Sequence, residues 1–291
     1  MNLLLEFVWQ PFAEFAFMRH ALIGTLALAL GCAPIGVFLV LRRMSLLGDA
    51  MSHAILPGVA IAFIAYGLSL TALTIGGLLA GMTVVILAGA VTRLTQIKED
   101  ASFAAFYLLS LASGVLLVSK WGSNVDLMHI LFGSVLAVDT PALILVAGIA
   151  TLTLLMLAIF YRPLVIESFD PEFLRATSRG GALTHFIFLI LVVLNLVAGF
   201  QALGTLMAVG LMMLPATTAR LWTRTLAGLL PIAMLIAFFS GFAGLLISYH
   251  GDLPSGPAII LTAGCIYLAS LVFGRNGGLL WRVLKLRHLE S

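Results

Sequence analysis

Asp49 and His53 are the residues of this chain whose types and spacing best suit chemistry. They lie four apart in Arg42-Arg-Met-Ser-Leu-Leu-Gly-Asp-Ala-Met-Ser-His-Ala-Ile-Leu-Pro-Gly58. On a helix that spacing puts both side chains on one face, about one turn apart. A carboxylate beside an imidazole suits a divalent transition metal such as Zn²⁺ or Mn²⁺. Two ligands are too few for tight binding. A two-fold dimer with this helix at its axis would supply two of each, a four-ligand cage. The alternative is that Asp49 is shallow enough to be solvated while His53 hydrogen-bonds a neighbouring helix. Pro57-Gly58 frees backbone carbonyls just beyond the pair and permits a bend.

Other groupings carry less. Asp126 and His129, three apart, could be transient first ligands for a cation or simply solvated loop residues; His250 with Asp252 poses the same choice. His20 and His185 sit at the ends of apolar runs and read as interfacial residues without a role. Cys32 and Cys265 lie inside apolar runs without a CxxC neighbour, which suits small residues packed between helices. The chain contains no GxxxxGK[ST], so it has no P-loop for ATP, and no HExxH, which argues against a zinc protease.

The elements that must position these residues follow from composition. Of 291 residues, 62% are hydrophobic and 9% charged, with a mean hydropathy of +1.17. Soluble proteins carry about 45–50% apolar and about 25% charged residues. The chain is therefore expected to be an all-α, polytopic membrane protein; a soluble enzyme, a nucleic-acid binder and a disordered chain are excluded. A helix needs about 20 apolar residues to cross the hydrocarbon core. On that length the spans fall at 21–41, 44–66, 70–91, 102–119, 141–160, 184–202, 226–249 and 256–273. Asp49 and His53 then lie within the second span, where a charge costs about 2.5–3.5 kcal/mol and marks a functional residue by default. His53 would sit roughly 13 Å from the Met44 end. Residues 1–20 carry Glu6 and Glu14 before Arg19, unlike a signal peptide, and Phe7, Trp9, Phe12, Phe15 and Phe17 suit an interfacial segment.

Two apolar stretches are ambiguous: 125–138, and 203–219, which is broken by Gly204, Gly210 and Pro215. The basic residues decide between them. If the N-terminus is outside and 203–219 crosses as a short helix, every one of the 15 lysines and arginines except Arg19 and Lys120 is cytoplasmic. That gives nine crossings with the C-terminus inside, and 125–138 dips in and returns on the outer side. The outer loops, with Asp126, Asp139 and Asp252, take an acidic cast that either is merely solvated or concentrates cations. Gly77 and Gly81 form a GxxxG suited to close helix contact, a weak signal among 28 glycines.

A resemblance enters at residues 42–58, which look like the signature of bacterial metal-ion ABC importer permeases, the zinc, manganese and iron-chelate family. Leu131-Phe-Gly-Ser-Val-Leu136, Phe169-Asp-Pro-Glu-Phe-Leu-Arg-Ala176, Leu214-Pro-Ala-Thr-Thr-Ala-Arg220 and Asp252-Leu-Pro-Ser-Gly-Pro257 resemble later blocks of that family, in order. The chain departs from the pattern at Leu174, within the third block, and at Ser178, two residues beyond it. The resemblance implies a permease at residues 21–274 followed by a basic cytoplasmic tail, 275–291. It implies a homodimer with two cytoplasmic ATP-binding subunits and an outer metal-binding protein. Asp49 and His53 would contact the transported metal, zinc first and manganese next, and no permanent cofactor is expected. Residues 161–181 would be the cytoplasmic segment that docks on the ATPase, through Phe169, Asp170, Pro171, Glu172, Phe173, Arg175 and Arg179. That segment has its own logic: Asp170 suits an N-cap, Pro171 the first helical position, and Glu172 the positive helix end. The rivals are an ion-coupled transporter or channel for divalent cations, and an intramembrane hydrolase. The scarcity of further intramembrane ionisable groups disfavours the first, and the lack of a second acid or nucleophile at matching depth disfavours the second.

The one-sided charge distribution makes a direct prediction. Single cysteines introduced as Arg175→Cys and Arg224→Cys should react with an impermeant thiol reagent only from the cytoplasmic side, and Asp252→Cys only from outside. Labelling of position 224 from outside would remove the short crossing.

Overall fold

A computed structural model describes residues 2–121, 139–170, 173 and 181–280. Among them there is no strand, and the apolar runs are helices as their length requires. The order is α1 (Asn2–Glu14), α2 (Ala16–Leu41), α3 (Leu47–Ala54), α4 (Leu56–Tyr66), α5 (Leu70–Leu94), α6 (Glu99–Trp121), α7 (Thr140–Ile159), α8 (Tyr161–Phe169), α9 (Gly181–Leu203), α10 (Thr205–Ala219), α11 (Leu226–Gly251) and α12 (Ser255–Phe273). Among the described residues, eight segments are long and apolar enough to cross a membrane, and they coincide with the eight spans expected from the sequence. The protein is an all-α, multi-pass membrane protein.

Helix α2 is the spine. It is the most completely buried of the spans, and α7, α9, α10 and α11 pack around it. Its small residues make this possible: Gly24, Ala27, Ala29, Gly31, Cys32, Ala33 and Gly36 are buried or nearly so and let neighbouring backbones approach. A Cβ at Gly36 would collide with the Met212 carbonyl of α10. Leu203, the last residue of α9 and two before the start of α10, lies beside Gly24. Short α10 therefore runs alongside α2 in the same direction, over much of its length. Peripheral α5, α6 and α12 instead present rows of exposed Leu, Ile and Val, as lipid-facing helices do.

Several local expectations change. The second span is two helices: the ladder breaks at Ile55, and Pro57 lies in the first turn of α4. Residues 161–169, expected within a polar connection, form α8, which packs on the end of the bundle and buries Leu164 and Glu167. Helix α2 begins at Ala16, about a turn earlier than the apolar pattern suggests. Cys32 is buried with its Sγ toward Asn195, as a packed small residue should be, but Cys265 is exposed on α12. The GxxxG of α5 is a true contact: Gly77 faces Val59 and Val197, and Gly81 faces Ile55 and Val193. Asp139 caps α7 by accepting a 3.0 Å hydrogen bond from the Ala142 amide, so it has a structural duty. Residues 125–138, with the expected re-entrant turn, lie outside the described residues, and so does most of the basic tail.

Candidate metal site and its charged neighbour

Helix α3 carries both expected ligands. Asp49 Oδ1 lies 3.8 Å from His53 Nε2, as the four-residue spacing requires. The Asp49 side chain is 65% exposed and that of His53 35%. The Nδ1 atom of His53 is buried and has no hydrogen-bond partner among the described residues. This observation runs against the alternative in which His53 simply bonds a neighbouring helix. Tyr107 of α6 lies beside the imidazole, with 6.4 Å between ring centroids, and Ser110 donates a 2.9 Å hydrogen bond to the Ala54 carbonyl. Those two contacts set α3 against the middle of α6. Tyr107 is eight residues along α6, about 12 Å from its start.

Asp49 opens into a cavity of about 370 Å³, whose walls include Arg43, Phe103, Tyr107 and a second acid, Asp100. Asp100 was not legible as a partner of Asp49, because only the packing of α3 on α6 brings the two to one cavity. A larger, mostly apolar cavity of about 900 Å³ lies between α4, α5 and α6, beginning at Pro57 and Gly58. Among the described residues no three carboxylate, imidazole or thiol groups gather into a metal cage. One chain thus offers an open pair of ligands, suited to a cation in passage.

Asp126, His129, Pro171, Glu172, Arg175 and Arg179 lie outside the described residues. Of the expected docking residues, Phe169 and Phe173 are exposed at 69% and 56%. Asp170 accepts a 2.9 Å hydrogen bond from the Phe173 amide, the N-cap geometry expected of it. His250 stacks on Phe7 at 3.7 Å and bonds its carbonyl, so it secures α1 to the end of α11.

Residues distant in sequence meet in an ionic cluster at one end of the bundle. Arg42, directly after α2, places Nη2 3.0 Å from Glu167 Oε2 of α8. The other oxygen of Glu167 lies 3.0 Å from His185 Nδ1, and His185 Nε2 lies 2.8 Å from Glu99 at the start of α6. Arg42 also rests 4.1 Å over the Phe188 ring, a cation–π contact. Burial pulls the guanidinium below its ordinary pKa, and Glu167 and Glu99 oppose that shift. His185, expected to be an idle interfacial residue, is therefore the bridge of this cluster. Glu167 alone held a signal, as a lone acid inside Leu164-Val-Ile-Glu-Ser168.

This arrangement can be set beside known proteins. Residues 14–274 match the model of the ABC 3 transport family. The chain belongs to that family. It is 34% identical over 291 residues to the manganese transport system membrane protein MntC of Halalkalibacterium halodurans, covering 99% of this chain and 98% of that one. It is also 34% identical to the manganese import system permease protein ScaB of Streptococcus gordonii, over 96% of this chain and 99% of the relative. Among solved structures, PsaBC from Streptococcus pneumoniae in complex with Fab superposes with a TM-score of 0.83 at 32% identity, covering 97% of this chain and 99% of that one. Family membership and the apolar helices make this ABC 3 chain a multi-pass inner-membrane transport protein.

The open pair makes a sharp prediction. In reconstituted transporter, Asp49→Ala and His53→Ala should each lower metal uptake by about tenfold or more, equivalent to roughly 1.4 kcal/mol. Asp49→Asn, which keeps shape and loses charge, should be nearly as damaging. Each change removes a costly intramembrane group, so expression and thermal stability should hold. Wild-type uptake by well-expressed variants would contradict the assignment.

Proposed function

We propose that this chain is the membrane-spanning permease subunit of an ATP-driven importer for divalent transition metal ions, with manganese as its principal cargo. The observation that carries this reading is the end-to-end likeness to permeases named for manganese, on a chain that presents Asp49 at a cavity with His53 3.8 Å away. Zinc is the first expectation from an Asp–His pair. The names of the relatives favour manganese, and so does a second carboxylate, Asp100, on the cavity that Asp49 enters, since oxygen ligands suit Mn²⁺.

The subunit works as a homodimer. Its partners are a pair of cytoplasmic ATP-binding subunits and an extracytoplasmic metal-binding protein. Metal released at the outer mouth passes between the protomers and meets two copies of Asp49 and His53, which together form the ligand set that one copy lacks. The break at Ile55 and the proline after it let α3 and α4 move as separate pieces. ATP hydrolysis takes place in the partner, since this chain has no P-loop. The exposed phenylalanines around the Asp170 cap are what a soluble motor subunit could grip. The chain crosses nine times with its N-terminus outside. The run of α10 beside α2 supports a short crossing in the same direction, although its 15 residues span only about 22 Å.

Proteoliposomes containing this chain and its ATP-binding subunit, supplied with metal-loaded binding protein, test the reading. Manganese should accumulate only with ATP inside the compartment that holds the ATPase, and excess zinc should compete less well than excess manganese. Accumulation driven by an ion gradient without ATP would overturn the importer reading. Accumulation of zinc with no manganese would return the cargo to zinc.

A further inference from the structure

The cluster of Arg42, Glu99, Glu167 and His185 sits between the residues proposed for the metal and those proposed for the ATPase. Glu167 lies three residues before the Asp170 cap, and His185 lies four residues after the start of α9. They bracket the proposed docking segment. Arg42 closes α2, and only residues 43–46 separate it from α3, which carries Asp49 and His53. Glu99 opens α6, whose Asp100 and Tyr107 wall the Asp49 cavity. Four elements, α2, α6, α8 and α9, are thus joined through four side chains.

We propose that these four residues form a latch that makes the docking segment and the metal-site helix move together. It rests on reading the segment between α8 and α9 as the ATPase contact, and it assigns positioning roles to residues that touch neither metal nor ATPase.

Three observations support the latch. The first is connectivity: each ring nitrogen of His185 has its own carboxylate, and Glu167 uses one oxygen for Arg42 and the other for His185. Removing Arg42 or His185 takes the partner from one Glu167 oxygen, and removing Glu167 takes a partner from both. The second is burial. The Arg42 and Glu167 side chains are only 6% and 8% exposed, and His185 is 20% exposed. Buried ion pairs are poor devices for stability, because well-packed apolar residues of similar volume do as well or better; their best-attested use is to fix register or to switch. The third is redundancy of attachment. Arg42 also donates to Ser168 Oγ at 3.4 Å and stacks on Phe188, so the end of α2 is pinned to both α8 and α9. A displacement of α8 and the start of α9 therefore reaches Arg42 directly, and through residues 43–46 it reaches Asp49.

The test uses the full complex in proteoliposomes and reads manganese ions moved per ATP hydrolysed. A single change such as Arg42→Ala strands a buried carboxylate and could unfold the chain. Paired changes avoid this: Arg42→Met with Glu167→Leu replaces the ion pair by apolar packing, and Glu99→Gln with His185→Gln keeps hydrogen-bonding groups without charge. Both double variants should co-purify with the ATPase and hydrolyse ATP, while ions moved per ATP fall at least about fivefold, the scale of ordinary coupling free energies. An assembled double variant of either kind with the wild-type ratio overturns the latch. Failure of both to assemble also overturns it, in favour of a purely structural role. Arg175→Glu separates this proposal from the docking reading. If it leaves co-purification and coupling untouched, docking falls and the latch with it. If it impairs them while both double variants keep the wild-type ratio, the latch alone falls.

Discussion

Arg42 and Glu167 can remain buried at the end of an apolar bundle only as a paired set, with His185 and Glu99 extending it toward the surface, and that constraint organises much of the rest. Desolvating a charge is expensive, and the cost is recovered only when geometry and hydrogen bonding are nearly complete. To complete the set, α8 must fold back under the bundle, α9 must begin beside it, and α6 must start within reach. The turn at residues 42–46 follows, with Arg43 in a left-handed conformation. That turn sends α3 into the bundle at the place where Asp49 lines a cavity and His53 stands one turn further along the same helix.

The second constraint is the small-residue surface of α2. Because Gly36 admits the Met212 carbonyl and the rest of the helix is rich in alanine and glycine, α10 and α7 pack close to it. The core built in this way is dense around α2 and α9 and thin around α5 and α6. The cavities lie on that thinner side, next to α3 and α4. A broken helix between a rigid half and a looser half is a reasonable place for an ion path, since it can change shape without repacking the spine.

The class of fold and its eight long helices were legible because one quantity, apolar length, determines them. Asp49 and His53 were legible because helical spacing puts two rare intramembrane groups on one face. The bend that Pro57-Gly58 permits is found as the break at Ile55, since Pro57 has no amide N–H to bond the His53 carbonyl, and hydropathy alone does not register it. What escaped reading depends on tertiary packing. Helix α8 was hidden because Arg162, Pro163 and Glu167 make 161–169 look like a polar loop, although Glu167 is internally paired. His185 looked idle because its partners are distant in sequence, at Glu99 and Glu167. Asp100 joined Asp49 only through the packing of α3 on α6. The preference for zinc over manganese had no firm basis in two ligand types that serve both metals.

The central claim is mechanical: the docking side of the bundle and the helix bearing Asp49 travel as one body. Spin labels at the exposed positions Leu46, in the turn before α3, and Arg162, on α8, measure this directly, in a background carrying Cys32→Ala and Cys265→Ser. In the complete complex, the distance distribution between Leu46→Cys and Arg162→Cys should be the same without nucleotide and with ATP bound. A distribution that shifts or splits on ATP binding would contradict the account.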